Sequence, residues 1–159
     1  TTGLSESATP LAAWRNRHRG ERCFVMGNGP SLNKMDLSRL AGETVFACNA
    51  AFLLFDRVVW RPTYYTCVDS RVIRDRAIDI TQMLDSHPGI TAFFPTVVHL
   101  HDGSGQEFAG RNVIPPGSNR HYFYEVGNRE SHHVESMFSL DADDFVVQPY
   151  TVAITMLQL

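Results

Sequence analysis

Apolar residues gather in short unbroken runs along the first hundred positions: 22–26, 43–48, 63–68 and 90–94. Each run ends on a turn-forming or polar residue: Gly27, Asn49, Asp69 and Pro95. The first three are continuous rather than alternating, which is the pattern of parallel strands buried on both faces. Helical spacing separates them. The clearest case is 70–84, where Val72, Ile73, Ala77, Ile80 and Leu84 share one face and Arg71, Arg74, Arg76 and Asp79 fall elsewhere. Shorter helices are predicted over 36–40, with Asp36 as N-cap, and over 50–55. From 99 to 140 the period dissolves into Gly, Asn, His and aromatic residues. A strand is predicted again at 144–147 and a helix at 151–159. The expected fold is therefore α/β: a Rossmann-like open, mostly parallel sheet with helices on both faces and an irregular insertion at about 99–140.

The organisation that follows is a leading helix and linker over 1–20, then a Rossmann-like domain over 21–159, for which the resemblance given below implies nucleotide binding. The last residues, Thr-Val-Ala-Ile-Thr-Met-Leu-Gln-Leu, read as the first turns of a buried helix with no polar tail. That is expected of a domain incomplete at its C-terminal side.

The first strand runs straight into Gly27-Asn28-Gly29-Pro30-Ser31. Glycines at 27 and 29 let a turn tighten and a ligand approach the main chain. Pro30 suits the first position of a helix, and free amides at a helix start favour an anion. Asn28 and Ser31 add side-chain hydrogen-bonding groups. Asn49 and Asp69 stand after the next two strands, so all three sites are expected to line one crevice beyond the strand ends, where strand order reverses. For Asn49 and Asp69 the competing reading is helix capping or turn formation.

Composition narrows the partners. Of 159 residues 43% are hydrophobic and 19% charged, with a net charge of −3, which argues against a broad nucleic-acid footprint. Arg15, Arg17, His18, Arg19 and Arg22 form one basic cluster, expected as the solvated face of the leading helix. Cys23, Cys48 and Cys67, an odd and unpaired set, read as buried free thiols and point to a reducing, cytoplasmic setting. No apolar stretch approaches the ~20 residues of a membrane span.

Other candidate groups are less organised. His99-x-His101 with Asp102 lacks the three or four ligands of a zinc site, so no metal site is assigned. Any of His99, His101, His121, His132 or His133 has the chemistry of a general base, and the catalytic residue stays unassigned. Arg111, Arg120 and Arg129 could clamp a phosphate, and Tyr122, Phe123 and Tyr124 could stack on a base or sugar. Surface loop and packing anchor are the competing readings. Asp143-Asp144 reads as a turn.

Residues 23–37, then Phe-Ala-Cys-Asn at 46–49, then Arg-Pro-Thr-Tyr-Tyr-Thr-Cys-Val-Asp at 61–69, resemble the MptE-like family, named for archaeal 6-hydroxymethylpterin diphosphokinases. They also resemble the bacterial motility accessory factors and, more distantly, the family 42 sialyltransferases. The segment 151–159 resembles the later Thr/Ser-led helix of those proteins. The resemblance implies a Rossmann-like domain in which Gly27, Asn28, Gly29, Pro30, Ser31 and Asn49 contact a nucleotide, with Asp69 and Thr151 as further site residues. The strand that follows that helix in the family, and the histidine that sialyltransferases carry beyond it, have no counterpart here.

The function this implies is a glycosyltransferase of bacterial surface glycan or flagellin modification. Its donor would be a nucleotide-activated sugar, of the CMP-sialic-acid kind, and its acceptor a glycan or protein. The alternatives are a 6-hydroxymethylpterin diphosphokinase using ATP, which would require Mg²⁺, and a non-catalytic nucleotide-binding module.

Overall fold

The computed structural model describes residues 11–99, 104–127, 138–148 and 151–159. In chain order the strands and α-helices are β1 (Cys23–Met26), β2 (Thr44–Cys48), β3 (Tyr64–Thr66), α1 (Ser70–Ser86), β4 (Thr91–Pro95), β5 (Val97–His99), β6 (Glu107–Ala109), α2 (Gly110–Val113), β7 (Arg120–Phe123), β8 (Glu125–Gly127), β9 (Val146–Gln148) and α3 (Val152–Met156). The chain is an α/β fold on a mostly parallel sheet. Five strands pair in the order β1-β2-β3-β4-β7, all parallel.

Side-chain alternation divides the sheet into two faces. Register aligns Ala47, Tyr65, Ala92 and Arg120 on one face and Cys48, Thr66, Phe93 and His121 on the other. Tyr65 packs with Ile73, Ile80, Met83 and Leu84 of α1. Tyr64 and Phe93 pack on the opposite side with Met156 of α3 and with Leu11 and Trp14 of a leading 3₁₀ turn. Both faces of β2, β3 and β4 are thereby buried, as the continuous runs predict for β2 and β3; the same prediction for β1 fails.

Three expectations need correction. First, the short helices are 3₁₀ turns: Leu11–Trp14 in place of a leading helix, Leu37–Leu40, and Asn49–Leu54. Segments this short do not offset the cost of nucleating an α-helix, and side-chain packing holds them instead. Trp60, for example, donates its indole N–H to Leu37 O at 2.6 Å. Second, the 99–140 region is not wholly irregular. It contains β6, which pairs antiparallel with β5 just before it, and β7, the fifth strand of the main sheet. β7 escapes a hydrophobic pattern because it begins Arg-His, yet both residues are buried. Arg120 donates to Pro115 O (2.9 Å) and Thr81 O (3.2 Å) and pairs with Asp85. Third, strand order follows sequence order, so among the described residues no reversal point exists.

β1 is the edge strand, and unlike its neighbours it is largely exposed, Phe24 at 39% and Val25 at 38%. On the far side, only Tyr124 separates β7 from β8, and β9 pairs with β8 in parallel, Val146 opposite Glu125. α3 then packs against both β9 and β1.

One glycine is fixed by packing. A Cβ on buried Gly110 would stand 2.0 Å from the Pro95 carbonyl oxygen, a backbone atom that cannot swing aside. The Gly110 N–H also donates to Thr96 O at 2.7 Å, tying α2 to the end of β4. Gly110→Ala is expected to destabilise the fold by about 2–3 kcal/mol, the upper part of the range for overpacked cores. Urea unfolding of the purified variant measures this, and an unchanged midpoint would show that the β4 end yields freely.

Candidate functional site

Because β1, β2 and β3 are adjacent and parallel, the segments leaving their C-terminal ends emerge on one edge of the sheet. The Gly27 turn, Asn49 and the Asp69 region therefore lie side by side, about 10 Å across at ~4.8 Å per strand.

The glycine turn is open. Neither Gly27 nor Gly29 has a positive φ, and a Cβ would meet nothing at Gly27 and only Ser31 Oγ, at 3.8 Å, at Gly29. The fold itself thus does not require glycine at either place. What glycine leaves here is bare main chain facing outward. Asn28 and Ser31 are exposed. Pro30 opens a five-residue 3₁₀ turn, Pro30–Lys34, with no side-chain cap. Such a turn carries little macrodipole, so the helix-dipole part of the expectation falls away and the exposed amides and side chains remain.

Asn49 is the most constrained residue of the set. Its φ is 48°, in the left-handed region, shared among described non-glycine residues only by Asn16. Tyr65 Oη donates to the Asn49 carbonyl at 2.6 Å and fixes that backbone. The side chain does not cap the following turn, whose cap position is Cys48. Instead Asn49 Oδ1 is buried with no hydrogen-bond partner. A buried unpaired amide oxygen costs about 1–3 kcal/mol. Together with the backbone strain, this marks a position the fold does not hold for its own stability.

Asp69 and Thr151 are engaged as caps. Asp69 Oδ1 accepts from Arg71 N (2.9 Å) and Val72 N (3.4 Å) at the start of α1. Thr151 Oγ1 accepts from Ala153 N at 3.4 Å. Both side chains are exposed. Asp69 keeps a second carboxylate oxygen for other partners, and α3, which Thr151 caps, lies against β1.

The remaining candidates disperse. His99 pairs with Glu107 across the β5–β6 ribbon at 3.0 Å. Arg120 is a structural clamp rather than a phosphate ligand. Tyr122 donates to Ile114 O at 2.6 Å, and Phe123 is in the core. Arg111 and Tyr124 are exposed. His101, Asp102, Arg129, His132 and His133 lie outside the described residues. No group of three or more metal-ligating side chains occurs among the described residues. The basic cluster is largely paired: Arg15 with Asp141, Arg22 with Glu43, Arg17 over the Trp14 ring, and His18 between Glu21 and Tyr64. Of the thiols, Cys48 and Cys67 are buried, and burial pushes Cys48 up to about 11. Cys23 is exposed because β1 is an edge, against the expectation for all three.

Glu125 carries no signal in the sequence, being a single acid in an aperiodic stretch. It stands just beyond β7, half-buried, and burial alone pushes its carboxyl up to about 7. Comparison of the chain with known family models, curated proteins and solved structures finds no match in any of the three.

Proposed function

We propose that the segments leaving the ends of β1, β2 and β3 bind the nucleotide of an activated sugar, and that the protein is a glycosyltransferase with a Rossmann-like domain of the MptE-like kind. The observation that carries this reading is Asn49: a left-handed backbone and a buried, unpartnered amide oxygen, set beside a glycine turn the fold does not itself require. The residue as a whole is only half-buried, so a turn of its amide would bring that oxygen to an N–H or O–H of a bound ligand. The exposed main chain of Gly27 and Gly29, with Asn28 and Ser31, offers donors to a phosphate. In the reaction an acceptor hydroxyl attacks the anomeric carbon. The bond from that carbon to the phosphate oxygen breaks, the nucleotide departs with the electron pair, and the hydroxyl proton passes to a base. A CMP-sugar donor, a glycan or protein acceptor and a cytoplasmic role in surface glycan or flagellin modification belong to the same proposal. Among the described residues no helix is long and apolar enough to cross a membrane.

Calorimetric titration with CMP, UDP, GDP and ATP, each with and without Mg²⁺, tests it. Metal-independent CMP binding is the expected result. Binding of ATP alone, and only with Mg²⁺, would replace it with diphosphate transfer, and no binding of any nucleotide would remove the reading. Asn49→Ala should weaken CMP about tenfold, the value of one hydrogen bond. Its melting temperature should barely move, because alanine strained at positive φ loses roughly what removal of the unpaired oxygen gains. A large stability loss with unchanged affinity would make Asn49 purely structural.

A further inference from the structure

Glu125 opens β8 two residues beyond the last residue of β7, so it stands past the C-terminal end of the fifth parallel strand, at the same edge of the sheet as Asn49. β9 presents Val146 opposite it. No charged neighbour among the described residues acts on its carboxyl, neither Asp144 ahead of β9 nor any basic group, and burial is the sole cause of its raised pKa. A half-buried carboxyl without a cation costs the fold stability when ionised unless something else meets it.

Its distance from the nucleotide end is set by the sheet. β7 lies three strands from β2, about 14 Å at ~4.8 Å per spacing. That is too far for a hydrogen bond to a phosphate at the glycine turn and within the length of a nucleotide carrying a sugar. The β8–β9 pair also belongs to the same end of the molecule. α3 starts four residues after β9 ends, a stretch that spans at most ~14 Å, and α3 reaches β1.

We propose that Glu125 forms the far end of this strand-end site, its carboxylate accepting hydrogen bonds from hydroxyls of the group that the nucleotide carries. This rests on the nucleotide-binding reading above. Hydroxyl donors favour the ionised carboxylate, so a ligand that reaches Glu125 releases its proton near neutral pH, and a ligand that stops at the nucleotide does not.

Calorimetry of CMP and of CMP-N-acetylneuraminic acid, in two buffers of different ionisation heat between pH 6.5 and 8, reads that proton. The expected difference between wild type and Glu125→Gln is release of up to one proton with the sugar conjugate and none with CMP. The same substitution weakens the conjugate about tenfold and leaves CMP unchanged. Equal proton release with both ligands, or release that persists in Glu125→Gln, overturns the assignment while leaving nucleotide binding intact. Failure of CMP itself to bind takes down the nucleotide reading and this one with it.

Discussion

Gln158→Leu should destabilise the fold by about 4 kcal/mol, more than the steric clash of Gly110→Ala, because it strands several buried main-chain groups at once. Gln158 is buried at the C-terminal side of α3, and its amide bonds only to main chain. Oε1 accepts from Ser139 N (2.9 Å) and Val147 N (3.0 Å), and Nε2 donates to Val147 O (2.8 Å) and Ile154 O (3.1 Å). The side chain thus pairs with both backbone groups of Val147 as a neighbouring strand would, finishing the open side of β9. Leucine keeps most of the volume and removes every partner. Each buried group left unsatisfied costs about 1–3 kcal/mol, in part offset by relaxation. Urea unfolding measures the total, and hydrogen exchange at Ser139 and Val147 locates it. A loss under about 1 kcal/mol, with protection retained, would mean that water replaces the amide. Gln158→Glu separates hydrogen bonding from volume. Its ionised carboxylate accepts from Ser139 N and Val147 N but faces the Val147 and Ile154 carbonyls without a proton to donate, so it should be less stable at pH 8 than at pH 5.

The consequence of Gln158 reaches the candidate site, because α3 is the element that links β9 to β1. Loosening the amide would free the helix that Thr151 caps while leaving the β1–β4 ladder paired. A variant at this position is therefore expected to lose nucleotide affinity together with stability, in contrast to Asn49→Ala, which loses affinity alone.

What is legible in the sequence follows burial. β2, β3 and β4 are buried on both faces, so their residues form uninterrupted apolar runs and their positions can be read directly. α1 is long enough for its buried stripe, Ile73, Ile80, Met83 and Leu84, to declare a period. β1 has the same apolar makeup but lies on an edge, and composition does not distinguish an edge from a centre. β7 is hidden for the opposite reason: the Arg120 charge is neutralised by carbonyls and Asp85 that are 5 to 39 residues away in sequence. The order of strands has no local signature at all. At the site, residue type and position after β2 single out Asn49. Its left-handed backbone and orphaned oxygen arise from Tyr65 and the surrounding packing, which only the fold assembles.

Glu125→Gln is expected to leave stability unchanged below about pH 4.5 and to raise it by about 2–3 kcal/mol at pH 8. The sign follows from linkage. Burial raises the folded-state pKa to about 7, whereas in the unfolded chain a glutamate titrates near 4.3. Between those values the folded state holds a proton that the unfolded state has released. Stability therefore falls as pH rises through this window, and the full loss is reached above the folded pKa. Glutamine has no proton to lose, so its stability does not follow this fall. The gap between the two proteins opens from about pH 4.5 and levels off above about pH 7. At ~1.36 kcal/mol per pKa unit the shift sets an upper bound of about 3.7 kcal/mol, which partial solvent contact at the side chain reduces. Thermal or urea unfolding of both proteins at pH 4.5, 6 and 8 measures the gap. Parallel curves would place a cation against Glu125 and remove it as an unpaired acid. An opening gap would show a group whose ionised form the folded chain alone does not support, so a ligand with hydroxyl donors at that position would recover, at neutral pH, what the free protein loses.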